Sequence, residues 1–370
     1  MHRRRILALA FALAAVSAVV GTAKAQAAQA HTAFTLSNAA AGNRVIVFDR
    51  GSAGRLHRVG SVGTGGHGTG VNLGSEGALA LSPDGGRLYA VNAGSNTLSV
   101  LGVSGDHVWR EQVIGSGGSQ PISVTASWNR VYVLNAGDGS VTGFRVTGHG
   151  LARIAGAHRA LAASGSGPAQ VALTPSGSAL VVTNKTTNTI DTLRVRANGS
   201  LSHAVAHASA GATPFGFAFT SRGVLVVSDA GEAPSSAATA YRVGPFGGLH
   251  LRSGPVQTNQ LAACWVATSP NGRYAFVSDA HSGTISTMRV SSHGQLSLVD
   301  PSGISASGGA GSTTLDSSVT GDGRYLSVLV FNAKPGVNSI VTFRIGSGGT
   351  LTSLNAAGSV PGSTTGLVTG

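Results

Sequence analysis

Apolar positions along the chain gather in runs of four to six, broken by short polar clusters rich in Gly, Asn, Ser and Asp. The stretch from Gly86 to Val100 is the clearest example. Arg87-Leu88-Tyr89-Ala90-Val91-Asn92 reads as a strand, Gly94-Ser95-Asn96 as a polar turn and Thr97 to Val100 as a second strand. Ser82-Pro83-Asp84-Gly85 precedes it as another turn. The unit returns six more times. Its upstream strands are Phe34 to Asn38, Val131 to Asn135, Leu180 to Asn184, Leu225 to Asp229, Ala275 to Asp279 and Leu326 to Val330. Each leads through a turn to a partner: Arg44 to Phe48, Ser140 to Phe144, Thr189 to Leu193, Ala238 to Tyr241, Thr284 to Met288 and Ser339 to Phe343. Sustained i, i+3, i+4, i+7 periodicity is missing, so little helix is expected. Seven copies in one chain predict a repeat architecture.

The unit from Ala169 to Thr213 shows what repeats. Strands are predicted at Val171 to Thr174, Leu180 to Thr183, Thr189 to Val195 and Leu201 to His207. Pro175-Ser176-Gly177, Lys185 to Asn188 and Asn198-Gly199 supply the turns, the last being a dipeptide suited to positive φ in a tight hairpin. Four antiparallel strands per unit and seven units predict an all-β chain folded as a seven-bladed β-propeller. The first unit offers Phe34 to Asn38, Arg44 to Phe48 and Leu56 to Val62, with no inner strand before them. Ser363-Thr364-Thr365-Gly366-Leu367-Val368 follows the last unit and is expected to fill that place, closing the ring in the first blade and removing its open edges.

The first residues differ from the rest. Arg3-Arg4-Arg5, the apolar run Ile6 to Val20 and the small-x-small site Ala23-Lys24-Ala25 read as a signal peptide over residues 1–25. An uncleaved anchor is the competing reading of the same run. A short extension over 26–33 and a single propeller over 34–370 are then expected, in a secreted protein with no membrane span after cleavage and acting as a monomer.

Charge and cysteine narrow the partners. The formal charge is +12, and loss of Arg3, Arg4, Arg5 and Lys24 leaves about +8, which favours anionic surroundings such as cell-envelope polymers or acidic small molecules. The remaining arginines are scattered singly (Arg44, Arg145, Arg194, Arg242), without the basic run and interleaved aromatics of a nucleic-acid surface. Cys264 is the single cysteine, so no internal disulfide forms, and it reads as a buried thiol. No His-Glu-x-x-His, Gly-x-Ser-x-Gly or calcium-loop pattern occurs, and neither metal nor cofactor is expected. Gly63-Thr64-Gly65-Gly66-His67-Gly68 has dinucleotide-motif spacing but leads into a strand, so a flexible loop is expected. His67 and His281 are placed where they could overhang the channel. Asp84, Asn271 and Asp322 read as turn formers, and Asp229 and Asp279 as strand-end groups satisfying backbone at the blade edge.

Leu79-Ala80-Leu81-Ser82-Pro83-Asp84-Gly85-Gly86-Arg87-Leu88-Tyr89-Ala90-Val91-Asn92, with a second good copy from Ser269 to Val277, resembles the repeat of the lactonase-like seven-bladed propellers. That family includes the propeller-type 6-phosphogluconolactonases and the carboxymuconate-lactonising enzymes. The resemblance spans nearly all the mature chain and implies a small-molecule lactone as substrate, handled where the inner strands converge on the channel. It also implies arginine and histidine after a proline at those mouths. The aligned positions here are Gly77-Ala78, Ile122-Ser123, Ala169-Gln170, Phe215-Gly216, Cys264-Trp265 and Leu315-Asp316, and none is arginine or histidine. Asp316 is the only charge in the ring, with Glu76 just outside it. Glu76 and Asp316 could pair as acid and base at one channel mouth or each cap a local turn. Gln170 and Trp265 could hold a sugar by hydrogen bond and stacking, or fill the core. Two function classes remain: a lactonase-like enzyme, and a non-catalytic binding propeller of the cell exterior.

Overall fold

The computed structural model describes residues 31–231, 236–331 and 338–370. The expected signal peptide and most of the 26–33 extension lie outside the described residues. Seven antiparallel sheets form, each with four strands in the order inner to outer, and one carries an extra short segment. Blades 2 to 7 begin with the inner strands Leu79–Leu81, Pro121–Ala126, Pro168–Leu173, Pro214–Phe219, Ala263–Thr268 and Thr313–Val319. Blade 1 takes its inner strand, Thr365–Thr369, from the C-terminal end of the chain. Among the described residues the one helical turn is Ser347–Gly349.

The closing strand is held on three sides. It pairs antiparallel with Thr32–Leu36, setting Phe34 opposite Val368 and Thr35 opposite Leu367. The Thr35 hydroxyl donates to Gly366 O at 2.5 Å, Asn72 donates to Thr364 O at 2.8 Å, and Ser318 and Thr369 hydroxyls meet at 2.9 Å across to blade 7. With partners on both sides, the first blade's strand starts at Thr32, two residues before the expected Phe34.

Blade spacing follows from the side chains. The second strand of each blade is buried on both faces, as in Ala179–Asn184, because its two faces pack on the neighbouring blades. Val181, Ile190, Phe217, Leu225, Val227 and Tyr241 form one such layer between blades 4 and 5. Removing apolar area of this kind from water is the main force closing the ring. Outer strands face solvent, as in Leu249–Gln257, where Ser253 is the one buried position. The glycines of the inner turns take positive φ (Gly85 +70°, Gly177 +68°, Gly272 +66°, Gly323 +70°), where a Cβ is strained. The fourth strand of blade 4 is shorter than expected: Val205–Ala208, with Leu201 making an isolated bridge to Val195.

Candidate functional site

Inner and second strands fall out of register near the start of the inner strand in blades 3 to 7. The shifts lie between Pro121 and Ser123, Pro168 and Gln170, Pro214 and Phe217, Ala263 and Trp265, and Thr314 and Ser317. Such bulges bend a strand and re-aim its side chains. They fall on the positions aligned from the sequence, so those residues do converge on the channel.

What they build differs between its two ends. Where the inner strands begin, the channel is filled by buried apolar groups, among them Ile122, Ala169, Phe215, Cys264 and Leu315. Phe215 meets Trp265 edge-on at 5.0 Å between centroids. Lys185, at the end of a second strand, covers this filling with its ammonium 4.9 Å from the Phe215 centroid and donates to Gly74 O at 2.9 Å. Burial lowers the Lys185 pKa. Trp265 belongs to the filling: its indole donates to Ser75 O at 3.1 Å, and it does not line the channel cavity described below.

The connection from blade 1 to blade 2 enters the channel and crosses it. Ser75 Oγ donates to Ile122 O at 3.0 Å in blade 3, and the Glu76 amide donates to Ala169 O at 3.2 Å in blade 4. Glu76 Oε2 accepts from the Val266 amide of blade 6 at 3.3 Å. Glu76, expected just outside the ring, is therefore inside it. A Cβ on Gly216 of blade 5 would stand 2.1 Å from Glu76 Oε2 and 2.5 Å from Cys264 O, so the carboxylate occupies room that only glycine leaves.

Toward the end where the inner strands finish lies a cavity of about 360 Å³. Glu76, Gln170 and Asp316, three of the four sequence candidates, line it, together with Ser317 and the backbone of the later inner strands. Glu76 is 9% and Asp316 2% exposed. Burial is the main cause that raises the Glu76 pKa well above the carboxylate range, and the neighbouring Asp316 charge adds to it. Burial likewise raises Asp316 to about 7, against the pull of the Gly366 amide. Asp316 Oδ2 and Ser317 Oγ are buried and have no hydrogen-bond partner. Gln170 is committed: it accepts from the Phe217 amide at 2.6 Å and donates to Phe217 O at 3.0 Å, stitching blade 4 to blade 5. Among the described residues, no lysine, arginine or histidine lines the cavity.

Other candidates resolve elsewhere. His67 sits against Ala40 O at 3.0 Å at the junction of blades 1 and 2, and neither it nor His281 lines the cavity. Asp84 is a turn former, its pKa lowered by the Ser82 hydroxyl. Asp229 and Asp279 accept side-chain hydroxyls of the third strand, from Thr239 and Ser286, and Asp279 also takes a backbone hydrogen bond from Ser286, as expected of a strand-end group. Lys185 and the channel-crossing loop were not foreseen, and Gly216 was aligned on the channel without its role in making room for Glu76. The signal for the loop was its length, some 15 residues between Gly63 and Ala78 in a chain of short turns.

A family model described as "Lactonase, 7-bladed beta-propeller" matches residues 127–245. No curated protein matches the sequence. Among solved structures, a candidate 6-phosphogluconolactonase of Bacteroides fragilis is 19% identical, with a TM-score of 0.64 over 91% of this chain and 97% of that one. A second, from Bacteroides uniformis, is 17% identical, with a TM-score of 0.66 over 91% and 99%. The periplasmic gluconolactonase of Pseudomonas aeruginosa is 19% identical, with a TM-score of 0.53 over 88% and 82%. At these identities the structures share the fold, and the family model adds the lactonase-like resemblance over its matched residues.

Proposed function

We propose that this lactonase-like propeller hydrolyses an uncharged sugar lactone at the Glu76–Asp316 pair. The observation that carries the reading is two buried carboxyl groups, each raising the other's cost of ionising, on the wall of one channel cavity. Burial and the Asp316 charge both oppose ionisation of Glu76, which therefore keeps its proton, while Asp316 titrates at about 7. Asp316, with one oxygen unpartnered, is the base.

The chemistry follows from those roles. Asp316 takes a proton from a water as its oxygen attacks the lactone carbonyl carbon, while Glu76 donates to the carbonyl oxygen on which negative charge develops. Collapse of the tetrahedral intermediate breaks the ring C–O bond: the former carbonyl oxygen returns its proton to Glu76, and the departing ring oxygen takes the proton held by Asp316, giving the open hydroxy acid and restoring both groups. A phosphorylated or carboxylated lactone would meet two carboxyl groups and no lining cation, so charge disfavours it. The leader read over residues 1–25 supports action outside the cytoplasm.

The test is hydrolysis of glucono-δ-lactone by Asp316→Asn and Glu76→Gln beside wild type. Each variant is expected to lose about 100-fold or more in kcat. In the wild type, activity is expected to rise with pH through about 7 as Asp316 ionises. Full activity in both variants, or no turnover by a folded wild type, overturns the reading. The latter outcome leaves a binding propeller.

A further inference from the structure

Blade 3 departs from its neighbours at the turn that follows its inner strand. In blades 2, 4, 6 and 7 that turn is closed by backbone bonds from Ser82 to Arg87, Thr174 to Ala179, Ser269 to Tyr274 and Thr320 to Tyr325. In blade 3 the corresponding bond runs from the Ser127 amide to Arg130 O, two residues tighter. The shortened turn leaves a notch between the turn of blade 2 at Pro83 and that of blade 4 at Pro175, a cavity of about 550 Å³.

Trp128 stands in that notch and is 72% exposed. Its position is a turn corner, which folding fills elsewhere in this chain with Pro83, Pro175 or Pro270. A large apolar face left in water gives nothing to the fold. The rest of the notch is mixed, with Ser127, Asn129, Arg130 and Ser176 among its polar lining residues, Leu173 and Pro175 among its apolar ones, and no carboxylate among them. It also joins the candidate active site: Thr125 and Ala126 line both the notch and the channel cavity, and both open where the inner strands finish.

We infer that the notch is a carbohydrate subsite, in which Trp128 stacks on the sugar ring attached to the lactone held in the channel. An exposed indole flanked by hydroxyl and amide groups suits a pyranose, whose apolar face lies on the ring while its rim hydroxyls find hydrogen-bonding partners. This deepens the proposed lactone hydrolysis and rests on it: the substrate class becomes the lactone of a disaccharide aldonic acid, its lactone end in the channel and its second sugar on Trp128.

Cellobionolactone and maltobionolactone are compared with glucono-δ-lactone, which lacks the second sugar. In Trp128→Ala, kcat/KM for the disaccharide lactones is expected to fall about tenfold, through KM, with less than twofold change for gluconolactone. Trp128→Phe should recover most of the loss. Equal changes for all three lactones, or none, overturn the subsite. Binding is read separately from tryptophan fluorescence with cellobiose and maltose, which carry no lactone. A saturable change present in wild type and lost in Trp128→Ala upholds the subsite even if no lactone is turned over, in which case only the hydrolase reading falls. No change with either sugar overturns it. So does a concentration-dependent dimer in sedimentation that Trp128→Ala abolishes, because the notch is then the seat of a second copy.

Discussion

Among the described residues five carboxyl groups are buried and pushed up by burial, Glu76 and Asp316 in the channel and Asp191, Asp229 and Asp279 in the blades, the last two at the same strand-end position. Asp229 and Asp279 rise to about 7, as Asp316 does, and each also leaves one oxygen unpartnered. A raised pKa is therefore no mark of a site in this molecule. What separates the pairs is access and company. Asp229 and Asp279 are fully buried in different blades, and each grips a hydroxyl of its own third strand. Their strand-end position is filled by Asn92, Asn135 and Asn184 in blades 2, 3 and 4, so a neutral amide does the same work. Glu76 and Asp316 face each other's charge and a cavity.

The largest expected effect breaks both regions at once. Deleting Gly362 to Gly370 removes the inner strand of blade 1 and the Gly366 amide that opposes the rise of Asp316. It also uncovers an edge strand beside blade 7. Thermal melting followed by circular dichroism is expected to show a fall of more than about 10 °C, or no cooperative transition. An unchanged melting temperature would mean that packing between blades closes the ring without the clasp.

The next test separates the regions by pH. A carboxyl with a folded pKa near 7 and an unfolded value near 3.9 is bound to more protons in the folded state between those limits. Stability from Asp229 and Asp279 is therefore highest below about pH 4, falls as pH rises through 7 and is flat above. Each ionisation costs at most about 4 kcal/mol at pH 8. Asp229→Asn and Asp279→Asn are expected to raise stability at pH 8 by about 1–3 kcal/mol, with little change at pH 4, as read from urea unfolding at both pH values. Lactone hydrolysis should be unaffected. The channel variants Asp316→Asn and Glu76→Gln should flatten the same pH dependence and abolish hydrolysis. Loss of activity in the blade variants as well would erase the distinction.

Much of this was readable from the residues, for a definite reason. The repeat alternates buried second strands with turns that demand Gly, Asn or Pro, and both leave local marks, as Tyr89-Ala90-Val91-Asn92 and Pro83-Asp84-Gly85 show. The clasp was legible because Leu367-Val368 is an apolar pair in a segment with no unit left to join. Aligning the units also found Gln170, Trp265 and Asp316 on the channel. Alignment could not say which end of the channel each faces, because that is decided by the bulge that follows Pro168, Pro214 and Ala263. It therefore grouped Trp265, which fills one end, with Asp316, which lines the other. Glu76 was harder still. Its place depends on a loop outside the repeat, held by bonds to Ile122, Ala169 and Val266 that have no sequence signature.

Gly216 gives the smallest and most selective way to probe that loop. Its φ is not positive, so alanine is not strained by backbone conformation there. The whole effect is the new methyl, placed 2.1 Å from Glu76 Oε2 and 2.5 Å from Cys264 O. The carboxylate can swing aside, whereas the Cys264 carbonyl belongs to an inner strand and also accepts from the Ser228 hydroxyl at 2.6 Å, so relieving its contact also strains the backbone. Gly216→Ala is expected to cost about 1–3 kcal/mol in urea unfolding, the range for overpacking a tight site. Displacing Glu76 from the Val266 amide should also slow gluconolactone hydrolysis about tenfold or more, while the contribution of Asp229 and Asp279 to the pH dependence of stability stays as it was. A stability loss with full activity would show that Glu76 serves as the plug of the ring, and that Asp316 works without it.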